Sequence, residues 1–121
     1  MQNTTTTDAP AASPNSNPRE LEADLLLKAA TRLESVQNSW DTRKTELDDA
    51  LLFNRQLWTD VLTSVMDADH SLPADIRQSI ANLGQFVMHQ TLSVLSDPRP
   101  ERLNALISIN YELADGLLGR A

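Results

Sequence analysis

Few side chains in this sequence have the types and spacing that bond-making chemistry requires. The two histidines, His70 and His89, lie far apart along the chain, and the nearest approach to a metal-ligand set is Asp67, Asp69 and His70. That trio matches none of the spacings that hold zinc or calcium, and a solvated loop accounts for it. There is no Gly-rich phosphate loop, no Gly-x-Ser-x-Gly elbow and no cysteine, which removes the usual phosphate cradles, hydrolase nucleophiles and thiol chemistry. Acidic residues are numerous but scattered, as on a wet helix surface. The expectation is a protein without catalytic residues, cofactor or metal, and hence not an enzyme.

Two asparagines say more. Asn54 and Asn110 each fall within an apolar helical stripe, where an amide is costly unless it is hydrogen-bonded. Each either bonds a neighbouring helix and fixes packing register, which is the preferred reading, or lines a groove and meets a partner's backbone. Trp58, on the same stripe as Asn54, reads first as core with an indole donor in need of an acceptor. Arg55 is a flank residue, solvated, salt-bridged or set against a partner carboxylate.

The elements that would position these residues are helices. Asn17-Pro18-Arg19-Glu20 reads as a start, with Asn17 as cap and Pro18 at the first position. Leu21, Leu25, Ala29, Leu33 and Val36 follow at helical spacing, so a first helix is expected over 18–38. Asn38 to Thr42 is a weak break, or else a continuous helical stretch. Leu47, Leu51, Asn54, Trp58, Val61 and Val65 form a second stripe, ending in a polar loop at 67–71. A third helix opens with Pro73 near its first position and carries Ile76, Ile80, Leu83, Val87, Thr91 and Val94. Phe86, Met88, Leu92 and Leu95 widen that stripe, which places this helix at the centre. Gly84 within it suggests close approach of a neighbour. Ser96-Asp97-Pro98-Arg99-Pro100 opens a fourth helix bearing Leu103, Leu106, Ile107, Asn110, Leu113 and Leu117, and Gly119 is its stop. The fold class expected is all-α: a compact up-and-down bundle of about four amphipathic helices over 18–121, preceded by a disordered tail over 1–17.

Composition agrees. Only 3 glycines and five aromatic residues occur, fewer than strand-rich domains use, in a chain of 121 residues. The net charge of −7 argues against wrapping nucleic acid or coating an anionic membrane, both of which need a basic face. No apolar run approaches the ~20 residues of a membrane span. The N-terminus lacks the basic and apolar regions of a secretory signal, so the cytoplasm is the expected compartment.

With these residues in view, the chain resembles the FlaF family of bacterial flagellin-biosynthesis regulators. Leu51-Leu52-Phe53-Asn54-Arg55-Gln56-Leu57-Trp58 is similar to that family's L-x-x-N-R-x-L-W core. Pro18-Arg19-Glu20-Leu21-Glu22, Leu72-Pro73 followed by Arg77 and Leu83-Gly84, and Leu106-Ile107-Ser108-Ile109-Asn110 agree in order. The likeness covers about residues 17–118. It departs at Tyr111, where the family usually has Arg, and at Asn17, where it often has Ser. His89 stands at the family's basic position in the third helix. The resemblance implies a non-enzymatic role in flagellum assembly: association with flagellin and promotion of its synthesis or export as a chaperone, alongside the FlbT regulator. The alternative is a regulator acting through another regulatory protein or flagellin messenger RNA; the acidic charge counts against the RNA route.

An export chaperone must cover amphipathic helices, and the stripes here exceed what a small core needs around Phe53, Leu57, Phe86 and Leu92. A groove is expected there, with Asn54, Arg55 and Asn110 as candidate edge contacts and Trp58 as core or groove residue. The Thr-, Asn-, Ser- and Pro-rich tail has too little apolar surface to offset its ordering entropy. Deleting the residues ahead of Asn17 is therefore expected to leave the thermal midpoint unchanged; a drop of several degrees by circular dichroism contradicts this.

Overall fold

The computed structural model describes residues 17–67 and 72–120. The tail expected over 1–17, apart from Asn17, and most of the polar loop expected at 67–71 lie outside these residues. The chain order is α1 (Pro18–Asn38), a single turn α2 (Trp40–Arg43), a 3₁₀ turn (Lys44–Glu46), α3 (Leu47–Val65), α4 (Ala74–Ser96), a second 3₁₀ turn (Pro100–Leu103) and α5 (Asn104–Leu117). No strand occurs among the described residues. The four long helices pack into the expected all-α bundle.

Local chemistry sets the helix ends. The Asn17 carboxamide accepts from the Glu20 amide at 2.9 Å, satisfying one of the unpaired donors of the first turn, with Pro18 at the start of the helix. At the other end of the chain Gly119 takes φ 75°. The Arg120 amide then reaches the Asp115 carbonyl at 2.8 Å and the Gly119 amide the Gly116 carbonyl at 3.2 Å. This pair of bonds is the Schellman closure, which favours glycine at its left-handed position. Two expectations about proline need correcting. Pro73 precedes α4 as its cap residue because its ψ of 153° is extended. Pro98 and Pro100 do not share the first turn of α5: Pro100 opens a 3₁₀ turn and α5 begins at Asn104.

The centre of the bundle is α1, not α4 as the width of the α4 stripe suggested. α1 makes its longest seam with α5 and a second with α3, whereas α4 rests chiefly on α3 and shares only a thin seam with α5. Small residues explain the choice. Ala23, Ala29 and Ala30 are fully buried, so two neighbouring helices can approach the α1 backbone closely. The buried face of α1 is accordingly Ala23, Leu26, Ala29, Ala30, Leu33 and Val36. Leu21 and Leu25, expected in that stripe, are 45% and 43% exposed.

Side-chain bonds to backbone tie the helix ends together. Gln37 Nε2 donates to the Pro100 carbonyl at 2.9 Å and to Asn104 Oδ1 at 2.6 Å. Arg77 Nη1 donates to the Val65 and Asp67 carbonyls at 3.3 Å each, placing a cation at the negative end of α3. Gly84 does admit a close neighbour, Leu62 of α3. A Cβ at position 84 would lie 2.8 Å from Leu62 Cγ. Gly84→Ala gains about 1 kcal/mol of helix propensity but overpacks that contact at a cost of about 1–3 kcal/mol. A net loss is expected in the native background, and a net gain of about 1 kcal/mol when Leu62 is Ala. Additive effects in a urea double-mutant cycle would rule the contact out.

Candidate functional site

The polar residues singled out in the sequence meet inside the bundle. Trp58 Nε1 of α3 donates to Asn110 Oδ1 of α5 at 2.8 Å. Asn110 Nδ2 in turn donates to Asn54 Oδ1, back on α3, at 2.7 Å. All three side chains are fully buried. One turn of α3 separates Asn54 from Trp58, so both reach the same carboxamide across the core. The chain of bonds ends at Asn54 Nδ2, which is buried and has no acceptor. These residues thus cannot form the polar edge of a groove in the free chain; they fix the register of α3 against α5. Leu57 is also buried and offers no surface.

The other candidates diverge onto different faces. Phe53 is half-buried on the α1 side, with Lys28 Nζ at 5.7 Å and Arg32 Cζ at 4.9 Å from its ring centroid. Arg55 lies on the outside of α3, where it lines a shallow depression with Leu52, Gln56, Thr59 and Asp60. Phe86 and Leu92 are exposed on opposite flanks of α4. A single groove around Phe53, Leu57, Phe86 and Leu92 is therefore not formed. Helical periodicity is the reason: six residues turn the helix through well over a right angle, so Phe86 and Leu92 cannot share a stripe.

What the structure does present is an apolar outer helix, α4, without formal charge beyond its first turn. Residues 78–96 contain no Asp, Glu, Lys or Arg. Ile80, Gly84, Val87, Thr91 and Val94 face the core. Leu83 (38%), Phe86 (45%) and Leu92 (63%) are open to solvent, as are Ile76 and Leu95. Ile76 and Leu83, expected in the core stripe, and Phe86, Leu92 and Leu95, expected to widen it, therefore all reach solvent. The signal that identifies them is the outer ridge of Gln78, Asn82, Gln85, His89, Ser93 and Ser96, which is polar yet carries no Asp, Glu, Lys or Arg. A solvated helix face usually carries ion pairs there.

Electrostatic features elsewhere are modest. Tyr111 donates to Glu34 Oε1 at 2.6 Å, tying α5 to α1. That bond to a carboxylate favours the protonated phenol and raises its pKa above the ordinary 10.0. Among the described residues no three His, Asp or Glu side chains group as metal ligands, and no helix is long and apolar enough to cross a membrane.

Fold and surface together define a small helical-bundle protein with a register-locked core and one apolar outer helix that carries no Asp, Glu, Lys or Arg over residues 78–96. A family model described as flagellar protein FlaF matches residues 7–117. The chain belongs to that family and is a flagellar-related protein. No curated protein matches it, and no solved structure does.

The buried polar chain makes a testable demand. Asn110→Leu strands both the Trp58 indole and the Asn54 carbonyl and should cost about 2–4 kcal/mol. Asn54→Leu strands only the Asn110 amide and removes a donor that already lacks a partner, so it should cost less. The double replacement leaves only the indole unpaired and should lose clearly less than the sum. Additive losses in urea unfolding would contradict the linkage.

Proposed function

We propose that this chain is a binding protein for flagellin, acting in the cytoplasm as a chaperone that promotes flagellin synthesis or export, and not as an enzyme. The observation that carries the reading is the α4 surface. A helix that exposes five large apolar residues and carries no Asp, Glu, Lys or Arg beyond its first turn is unusual for a free surface, and it has the composition of an interface centre. The family is flagellar, and flagellin's terminal segments are amphipathic helices that must be kept from self-association before export. An apolar helix face beside neighbouring helices suits helix-in-groove recognition.

RNA binding is disfavoured by the charge of −7 and by the lack of a basic stripe interleaved with aromatic rings. Cooperation with the FlbT regulator would then act on a flagellin already held by this protein.

Calorimetry against full-length flagellin should show binding with a negative heat-capacity change. A Kd of about micromolar, near −8 kcal/mol, is expected for a complex that must release at the export gate. Flagellin lacking its terminal helices should bind far more weakly. Equal affinity for both forms would rule out capture of the terminal helices, and no binding to either would favour an indirect regulator.

A further inference from the structure

Along the seam between α4 and α5 both helices carry large apolar side chains that stay open or partly open to solvent. Gln90 Nε2 donates to the Arg102 carbonyl at 2.9 Å, which identifies the flank of α4 that faces the 3₁₀ turn leading into α5. Leu83 and Ile76 stand seven and fourteen residues before Gln90, and Phe86 stands four before it, so all three lie on that same flank. They are nonetheless exposed. On the opposite wall Leu113 and Leu117 follow the buried Leu106 at seven and eleven residues and are only partly buried. α4 and α5 share only a thin seam, so little contact joins these two apolar walls.

Gly116 supplies an independent observation. It sits within α5, three residues after Leu113, and a Cβ built there meets nothing within 4 Å. Glycine inside a helix costs about 1 kcal/mol relative to alanine, and among the described residues no neighbour requires it. Its missing side chain leaves room for another backbone to approach α5 from outside, beside Leu113.

We infer that the α4/α5 seam at Ile76, Leu83, Phe86, Leu113 and Gly116 receives an amphipathic helix that carries basic residues beside its apolar stripe. The sign of the charge follows from the rim. Asp75 flanks Ile76, and Glu112 lies one turn before Gly116. The nearby cations are engaged: Arg77 at the carbonyls closing α3, Arg102 on Ser93 and Asp97 at the other end of the seam and Arg120 on Asp115 at 2.9 Å. A second copy of this chain is the wrong occupant, because it would bring the same acidic rims together. Residues 1–16 are wrong as well, since they contain no Lys or Arg and only Met1 among bulky apolar residues. This inference rests on the flagellin-binding reading for its biological partner, but the groove and its charge preference stand on their own geometry.

The test uses the full-length chain and two synthetic helical peptides of about six turns with the same leucine stripe, one flanked by lysine and one by glutamate. Fluorescence anisotropy should show the lysine peptide binding about tenfold or more tightly than the glutamate peptide at low salt. Leu83→Ser with Phe86→Ser should abolish binding, and Leu92→Ser on the opposite flank should leave it intact. Gly116→Leu should raise the thermal midpoint yet weaken binding about tenfold, a combination that a merely structural glycine cannot produce. Equal affinity for both peptides, no binding of either, insensitivity to Gly116→Leu, or concentration-dependent self-association that competes with the peptide would overturn the proposal. The same variants against flagellin separate the two readings. If flagellin binds and the groove variants leave it unaffected, the groove is wrong and the flagellin reading stands. If the peptide result holds while flagellin does not bind, the groove stands and the flagellin reading falls.

Discussion

The hydrogen-bonded chain from the Trp58 indole through Asn110 to Asn54 is the constraint on which the rest of the bundle depends. An indole and two carboxamides in an apolar interior are tolerable only if they find one another. They do so in a single axial and rotational setting of α5 against α3. Apolar packing alone would permit neighbouring registers at similar cost, since hydrophobic contact is non-directional. Once α3 and α5 are aligned, α1 can lie against both, and its buried alanines let it come close. α4 is then added from the α3 side, guided by Leu62 over Gly84 and by Arg77 at the end of α3. Among the described residues no further helix covers its outer flanks.

That hierarchy explains which features the sequence revealed. The Asn17-Pro18 start, the Gly119 stop, the stripes of α3 and α5 and the close approach at Gly84 are local patterns with one physical solution each. The joining of Asn54 to another helix followed from the cost of an unpaired amide, although its partner Asn110 was not identifiable from spacing. What spacing could not tell is which of two apolar flanks is covered. On α1 the alanine face won over Leu21 and Leu25, because close approach buries more surface than bulk at a distance. On α4 the stripe widened by Phe86 and Leu92 suggested centrality. It is wide because both flanks are apolar, and only the strip between them is buried.

The residues that carry the family likeness are largely architectural. Asn54, Trp58 and Asn110 hold the register, Arg77 caps α3, and Gly84 seats Leu62. The departures preserve the physics. Asn17 caps α1 as a serine would. Tyr111 reaches Glu34 with a phenol where an arginine would reach a carboxylate with a guanidinium. Within the L-x-x-N-R-x-L-W core, Arg55 stands apart as the motif residue with an exposed side chain. The buried motif residues thus specify the scaffold.

The account turns on α4 being the face that meets flagellin. Hydroxyl-radical footprinting of the full-length chain, alone and with saturating flagellin, reads this residue by residue. Phe86, Leu83 and Ile76 should lose reactivity in the complex, while Leu21 and Leu25 on the exposed flank of α1 keep theirs. Protection confined to α1 or to the outside of α3, with α4 as reactive as in the free chain, would contradict the account.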